Sequence, residues 1–309
     1  MVDQAVILLS ITIVLALIYS YANGINDAAN AIATIVATRV LSPTAAVILG
    51  ATMNLAGALT GTAVAKTIGK GIVDPDFMTQ AAAMSAILSA VTWVFFATRF
   101  GFPVSVSHSL VAGVLGSGVA VAGFAKINQV VVTKVLLALA FSPLLGFAGA
   151  FVVMVLFSWV LRNWSLGTTN LVFGKIQIVS AAFLAYSHGK NDAQNAVGIM
   201  ALGWAIYYSA DVTVLPWMQL ASGLAIGTGT ALGGWRVINT LGNRITKLNP
   251  VSGFTANIAA ATVIEAASNI GLPVSTTHTS SSAIVGVGAT RGSRRVSISV
   301  IQKILSAWV

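Results

Sequence analysis

Tyr21-Ala22-Asn23-Gly24-Ile25-Asn26-Asp27-Ala28-Ala29-Asn30-Ala31 returns about 165 residues later as Tyr186-Ser187-His188-Gly189-Lys190-Asn191-Asp192-Ala193-Gln194-Asn195-Ala196, with seven of eleven positions identical. A second pair follows in the same order. Gly101-Phe102-Pro103-Val104-Ser105-Val106-Ser107-His108 returns as Gly271-Leu272-Pro273-Val274-Ser275-Thr276-Thr277-His278. Each stretch places polar and backbone-breaking residues inside apolar sequence. Hydrocarbon penalises that placement, because an unsatisfied polar group has no water to turn to. A duplicated apolar unit with polar interruptions at matching positions is the pattern of a secondary transporter.

Composition agrees. The chain is 57% hydrophobic and 7% charged, with a mean hydropathy of +0.91. A water-exposed surface needs roughly a quarter charged residues, so the chain reads as an all-α polytopic membrane protein in contact with the lipid bilayer. It has no cysteine, which excludes disulfides, thiolate metal sites and cysteine nucleophiles. The stretch Ala5–Ile18 lacks a basic start and runs into the first motif, so it reads as a retained helix rather than a signal peptide. The net charge of +9 is explained by basic residues flanking membrane spans, such as Arg236, Arg244 and Lys247 or Arg291, Arg294 and Arg295, and not by nucleic-acid binding.

Apolar segments are expected near 4–22, 43–65, 78–98, 128–141, 143–161, 175–187, 212–234 and 251–268. They divide the chain into a first membrane repeat, 1–161, a linker, 162–174, and a second repeat, 175–309. From Ile7 to Ala37 one helix would run about 46 Å, against a hydrocarbon core of about 30 Å. The first motif is therefore expected to break its helix, with Gly24 and Gly189 supplying backbone freedom. The second motif is expected to start a helix at Pro103 or Pro273, giving a re-entrant helical hairpin with free amides at its tip. A weaker echo sets Gly57-Ala58-Leu59-Thr60-Gly61-Thr62 against Gly223-Leu224-Ala225-Ile226-Gly227-Thr228 and reads as close helix packing. Residues 131–138 align with 300–307, after which the first copy continues through Pro143 while the second ends at Val309. By the repeat logic, the second copy is expected to lack one last helix in this sequence.

Of seven acidic residues, Asp27, Asp192 and Glu265 lie in apolar sequence. The repeated pair, Asp27 and Asp192, beside Asn23, Asn26, Asn30, Asn191 and Asn195, suits a coupling proton or cation. Capping of the following half-helix is compatible with that role. Glu265 has no repeat partner and reads as a carboxyl kept neutral by burial or a functional acid. The hairpin tips offer Ser105, Ser107, Ser275, Thr276 and Thr277 with helix-end amides, a donor set suited to a tetrahedral oxyanion. His108 and His278 follow at matching positions as supporting donors. His188 faces Asn23 across the repeat and reads as a hydrogen-bonding residue. Lys190 is unpaired in the repeat, free to snorkel or to offset an anion. No phosphate-binding loop, zinc site or nucleophile–base pair is present, so ATP-driven transport and enzymatic activity are not expected.

Asn-Gly-x-Asn-Asp-x-x-Asn-Ala and Gly-x-Pro-Val-Ser-x-(Ser/Thr)-His, the first complete once and echoed and the second present twice, resemble the inorganic phosphate transporter (PiT) family across nearly the whole chain. The resemblance implies two inverted repeats, inorganic phosphate bound between them, and symport with protons or sodium. It also implies cation sites at Asp27, Asp192 and the neighbouring asparagines, sodium included, and phosphate contacts from Ser105, Ser107, Ser275 and Thr276. The family resemblance further suggests a homodimer. Many sodium-coupled members of the family it resembles, eukaryotic ones especially, carry a glutamate sixteen residues before the second Pro-Val-Ser. Asn257 stands there in this chain, which favours the bacterial proton-coupled branch in a prokaryotic plasma membrane. Sulfate or a metal-phosphate is the rival substrate, and an ion channel the rival class. No cofactor is expected beyond the coupling ion.

Overall fold

The computed structural model describes residues 4–100, 104–233, 235–306 and 308. Gly101 and Pro103, expected to open the first hairpin tip, lie outside them. The described elements are helices. Four are long and apolar enough to cross a membrane: α1 (Gln4–Ala37), α4 (Gln80–Phe100), α6 (Gln129–Val160) and α7 (Leu166–Tyr208). Between them lie α2 (Pro43–Ala58), α3 (Ala63–Lys66) and α5 (Val106–Ala122). After α7 come α8 (Pro216–Leu232), α9 (Trp235–Asn239), α10 (Pro250–Asn269), α11 (Thr276–Ala289) and α12 (Ile298–Ser306). The expected linker is mostly helical, since α7 begins at Leu166.

The first motif does not break its helix. Both α1 and α7 run through it, and neither Gly24 nor Gly189 has a positive φ. The two glycines serve packing instead. A Cβ on Gly24 would strike the backbone of Ile226 on α8, and one on Gly189 would strike Asn54 on α2. The length argument fails because the second half of α1 never meets lipid. Nearly every residue from Tyr19 to Ile35 is buried, whereas exposed and buried positions interleave before it. The motif residues sit between two apolar cores, one containing Ala22 and Ala196, the other Ala28 and Ala185. Protein, not a break, shelters the polar groups.

The breaks fall elsewhere. Helix α2 meets α3 and the π-helical turn Thr67–Gly71 at a bend of 61°, with Gly61 at φ +81°. Its counterpart follows α8, where Gly233 has φ +60° before α9 and the π-helical turn Thr240–Arg244. Pro43 and Pro216 open α2 and α8, and Thr67 and Thr240 open the π turns, both pairs at a spacing of 173 residues. The Gly57/Gly223 echo is therefore seven residues out of this register. The packing it suggested is present: Gly57 abuts the Tyr186 carbonyl, and Gly229 abuts that of Tyr21. Tyr21 and Tyr186 are the matched first residues of the duplicated motif.

Ser105 and Ser275 cap α5 and α11, each accepting a hydrogen bond from the amide of the following histidine. Each second motif does start a helix, but three residues later than expected, at Val106 and Thr276 behind a serine cap, with Pro273 outside the helix. Pro143 lies inside α6. Its missing amide would have bonded the Leu139 carbonyl, and the Ser142 hydroxyl donates there instead at 3.1 Å. The Arg291 guanidinium donates to the carbonyl of exposed Lys247, which brings the two basic clusters of the sequence together.

The glycine contacts give a paired prediction. Gly189→Ala should destabilise the protein by about 1–3 kcal/mol through overpacking against α2. Gly116→Ala, where an added Cβ meets nothing within 4 Å, should be neutral or slightly stabilising from helix propensity. Thermal unfolding of the two variants in detergent checks the contrast, and equal effects would contradict it.

Candidate functional site

Helices α1 and α7 bring the duplicated motifs together in the protein interior, and the N-terminus of α11 meets them there. Asp27, His188 and Asp192 are buried, and one ligand atom from each lies within 4.8 Å of the others. His188 Nε2 stands 3.3 Å from Asp192 Oδ2 and 3.6 Å from Asp27 Oδ2. Thr276 Oγ1 reaches both carboxylates, at 3.3 Å from Asp27 Oδ2 and 3.1 Å from Asp192 Oδ2. Thr277 Oγ1 donates to Asp27 Oδ1 at 2.8 Å, and Asn23 Nδ2 to Asp192 Oδ2 at 3.2 Å.

The asparagines follow the repeat and cross it. Asn30 of the first motif donates to Thr277 at 2.9 Å, and Asn195 of the second donates to Ser107 at 3.1 Å. Each copy thereby holds the hairpin hydroxyl of the other. Asn26 donates to Thr98 of α4 at 2.8 Å, while the Asn191 amide lies 2.8 Å from the Ser268 hydroxyl of α10. These two fix each motif helix to its own hairpin. The carbonyl oxygens of Asn23, Asn30 and Asn195 are buried without a hydrogen-bond donor.

His188 is more central than its sequence suggested. Asn54 Nδ2 donates to Thr230, so Asn54 Oδ1 is the acceptor facing His188 Nδ1 at 2.8 Å. The imidazole therefore carries a proton on Nδ1 and turns Nε2 toward two carboxylates. A lone pair aimed at two anions is repulsive, so the arrangement calls for a proton on Nε2 or a cation between the three groups. Asn54 is a member of this buried cluster that the sequence reading missed. A single asparagine in the otherwise apolar α2 was the available signal.

Other expected residues lie apart. His108 and His278 face each other with ring centroids 4.9 Å apart, and Trp308 stacks on His278 at 3.8 Å. With Ser105, they line a groove of about 670 Å³ beside Ser89, Trp93 and Ser109, whereas the carboxylates do not. Ser105 and Ser275 hydroxyls are engaged as caps. Lys190 does not snorkel: its Nζ is 2.5 Å from Glu265 Oε1 and 2.7 Å from Asn269 Oδ1. Glu265 is thus ion-paired rather than a buried neutral acid. Asn257, buried, accepts from Thr34 at 2.7 Å and donates to Ser180 at 3.3 Å.

The arrangement gathers two buried carboxylates and an imidazole nitrogen, with hydroxyl donors beside them. Thr276→Val should destabilise the fold by about 1–3 kcal/mol, since both buried carboxylates lose a donor. Thr276→Ser should restore stability, as read by thermal unfolding in detergent. Equal stability of Val and Ser variants would contradict the shared bond.

Comparison with known proteins agrees with this architecture. A family model described as "Phosphate transporter family" matches residues 23–309. A "Probable low-affinity inorganic phosphate transporter" of Bacillus subtilis (strain 168) is 40% identical over 99% of this chain and 93% of its own length. A "Putative phosphate permease TK2061" of Thermococcus kodakarensis is 30% identical over 97% and 93% respectively. Among solved structures, "The sodium-dependent phosphate transporter" superposes with a TM-score of 0.90 at 27% identity, covering 97% of this chain and 94% of the other. The chain is a multi-pass integral membrane protein, a transport protein rather than an enzyme, and it belongs to the phosphate transporter family.

Proposed function

We propose that this protein is a secondary symporter that carries inorganic phosphate with protons. The observation that carries the reading is the sharing of hairpin hydroxyls with acids: Thr276 donates toward both Asp27 and Asp192, and Thr277 donates to Asp27. Two ionised carboxylates within 4.8 Å repel an incoming anion. They also occupy the donors that an oxyanion would use. Protons on this cluster, including His188 Nε2, neutralise the acids and release the Thr276 and Thr277 hydroxyls for phosphate at the α11 N-terminus. Phosphate then binds well only with its coupling ion, and the ion neutralises the site best with phosphate present. That mutual dependence is what symport requires.

Sodium is the second reading. It is favoured by the buried, donorless oxygens of Asn23, Asn30 and Asn195 beside the carboxylates, and by the likeness to a solved transporter that is named as sodium-dependent. Hard oxygen ligands suit sodium, whereas the His188 nitrogen suits a proton. The Bacillus and Thermococcus relatives are named for phosphate, not for sulfate or for a channel. The two repeats are read as inverted, with the anion bound where the first motifs and the hairpin tips meet.

The test is uptake of labelled phosphate into proteoliposomes. An inward proton gradient in sodium-free buffer should drive accumulation, and a protonophore should abolish it. Asp27→Asn and Asp192→Asn should each remove gradient-driven uptake while the protein remains folded. Full coupled uptake in either variant would sink the role of the acids. Strict sodium dependence, with no response to the protonophore, would establish the second reading in place of the first.

A further inference from the structure

Lys190 is the one lysine or arginine buried among the described residues. It adjoins Asn191 of the second motif, yet the first copy has Ile25 at that place. Its partner Glu265 likewise faces Phe95 across the repeat. The two halves share the asparagine contacts to Thr98 and Ser268. The fold therefore builds this helix pair without a charge in one half and with an ion pair in the other. Structural need does not explain the pair.

The pair is also incompletely made. Glu265 Oε1 receives Lys190 Nζ and the Asn269 amide at 3.2 Å, but Oε2 is buried with no partner. Side-chain exposures are 10% for Lys190 and 22% for Glu265. The pair lies under the α2–α3 bend, where a Cβ on Gly61 would come within 3.3 Å of Lys190 Cε. Nearby, Thr67 donates to the Gly271 carbonyl at 2.7 Å, which ties that bend to the turn leading into the second hairpin tip. Gly61 and Asn269 border the pair, and Lys190 precedes Asp192 by two residues on the same helix, on a different face.

We propose that Lys190 is an anion-binding residue of the transport path, held by Glu265 as an internal stand-in until phosphate displaces it. This rests on the phosphate reading of the preceding subsection. The energetics give the device its use. Separating a buried pair leaves two uncompensated charges and is strongly unfavourable, whereas exchanging one anionic partner for another keeps Lys190 compensated. Glu265, the more exposed partner, can turn toward water. The pair thus parts when an anion is there to take the lysine, and stays made when none is.

Phosphate uptake kinetics in proteoliposomes test this. Lys190→Gln should raise the KM for phosphate at least tenfold. Glu265→Gln removes the competing carboxylate and should lower KM several-fold, with a larger stabilisation by added phosphate in thermal unfolding. The decisive variant is the Lys190→Gln/Glu265→Gln pair, which leaves neither partner of the ion pair charged and should fold even if Lys190→Gln alone does not. Its KM should remain raised at least tenfold. A wild-type KM in the double variant, or an unchanged KM in Glu265→Gln, would make the pair a structural strut and overturn the proposal. Wild-type protein that takes up no phosphate would overturn the phosphate reading itself, a separate outcome.

Discussion

Two carboxylates held within 4.8 Å of each other, away from water, is the condition around which the rest of this structure is arranged. Such a pair is tolerable only with donors and positive charge close by. His188 supplies the nitrogen between them, Asn54 fixes its tautomer, and Thr276 spans both acids. Each supporting residue comes from a different helix, so the site depends on α1, α2, α7 and α11 all being in place. Gly24, Gly57, Gly189 and Gly229 allow that approach by removing side chains where helix backbones meet. Close packing and the polar centre are one design, because hydrogen bonds of about 3 Å across helices need small residues at the crossings.

The duplicated motifs act on each other rather than side by side. Asn30 holds Thr277, and Asn195 holds Ser107, so the hairpin of each copy is gripped by the long helix of the other. A movement of one repeat against the other must strain or exchange these bonds. The departures from symmetry are correspondingly informative. His188 replaces Asn23 and Lys190 replaces Ile25, both in the second copy. One of these side chains sits between the acids, and the other meets Glu265. A duplicated scaffold that carries one acid in each copy has thus been given its imidazole and its ammonium in the second copy only.

Much of this was legible in the sequence. The polar motifs, their pairing and the presence of a helix start in each second motif follow from local chemistry, because a proline after glycine and an asparagine in apolar sequence each have few uses; the exact start, at the serine cap and not at the proline, does not. The continuity of α1 and α7 was not legible. A length argument compares a helix with the bilayer, but the second half of α1 is solvated by other helices, which the chain reveals only once folded. The true breaks, near Gly61 and Gly233, lack the asparagines that drew attention to the first motif. Their signal was the pair of glycines with positive φ, and sequence alone does not distinguish those from packing glycines. Lys190 and Glu265, 75 residues apart in sequence, gave no sign of their pairing beyond each lacking a counterpart in the first copy.

The central claim is that phosphate binds to a site whose acids are neutralised by protons. Calorimetric titration of the purified protein with phosphate measures this most directly. The titration is run in sodium-free solution, acidic enough that phosphate stays a monoanion, in two buffers of different ionisation enthalpy. The account predicts net proton uptake on binding, seen as an apparent enthalpy that changes with the buffer, and its loss in Asp27→Asn. Phosphate binding with the same enthalpy in both buffers and no proton uptake would contradict it.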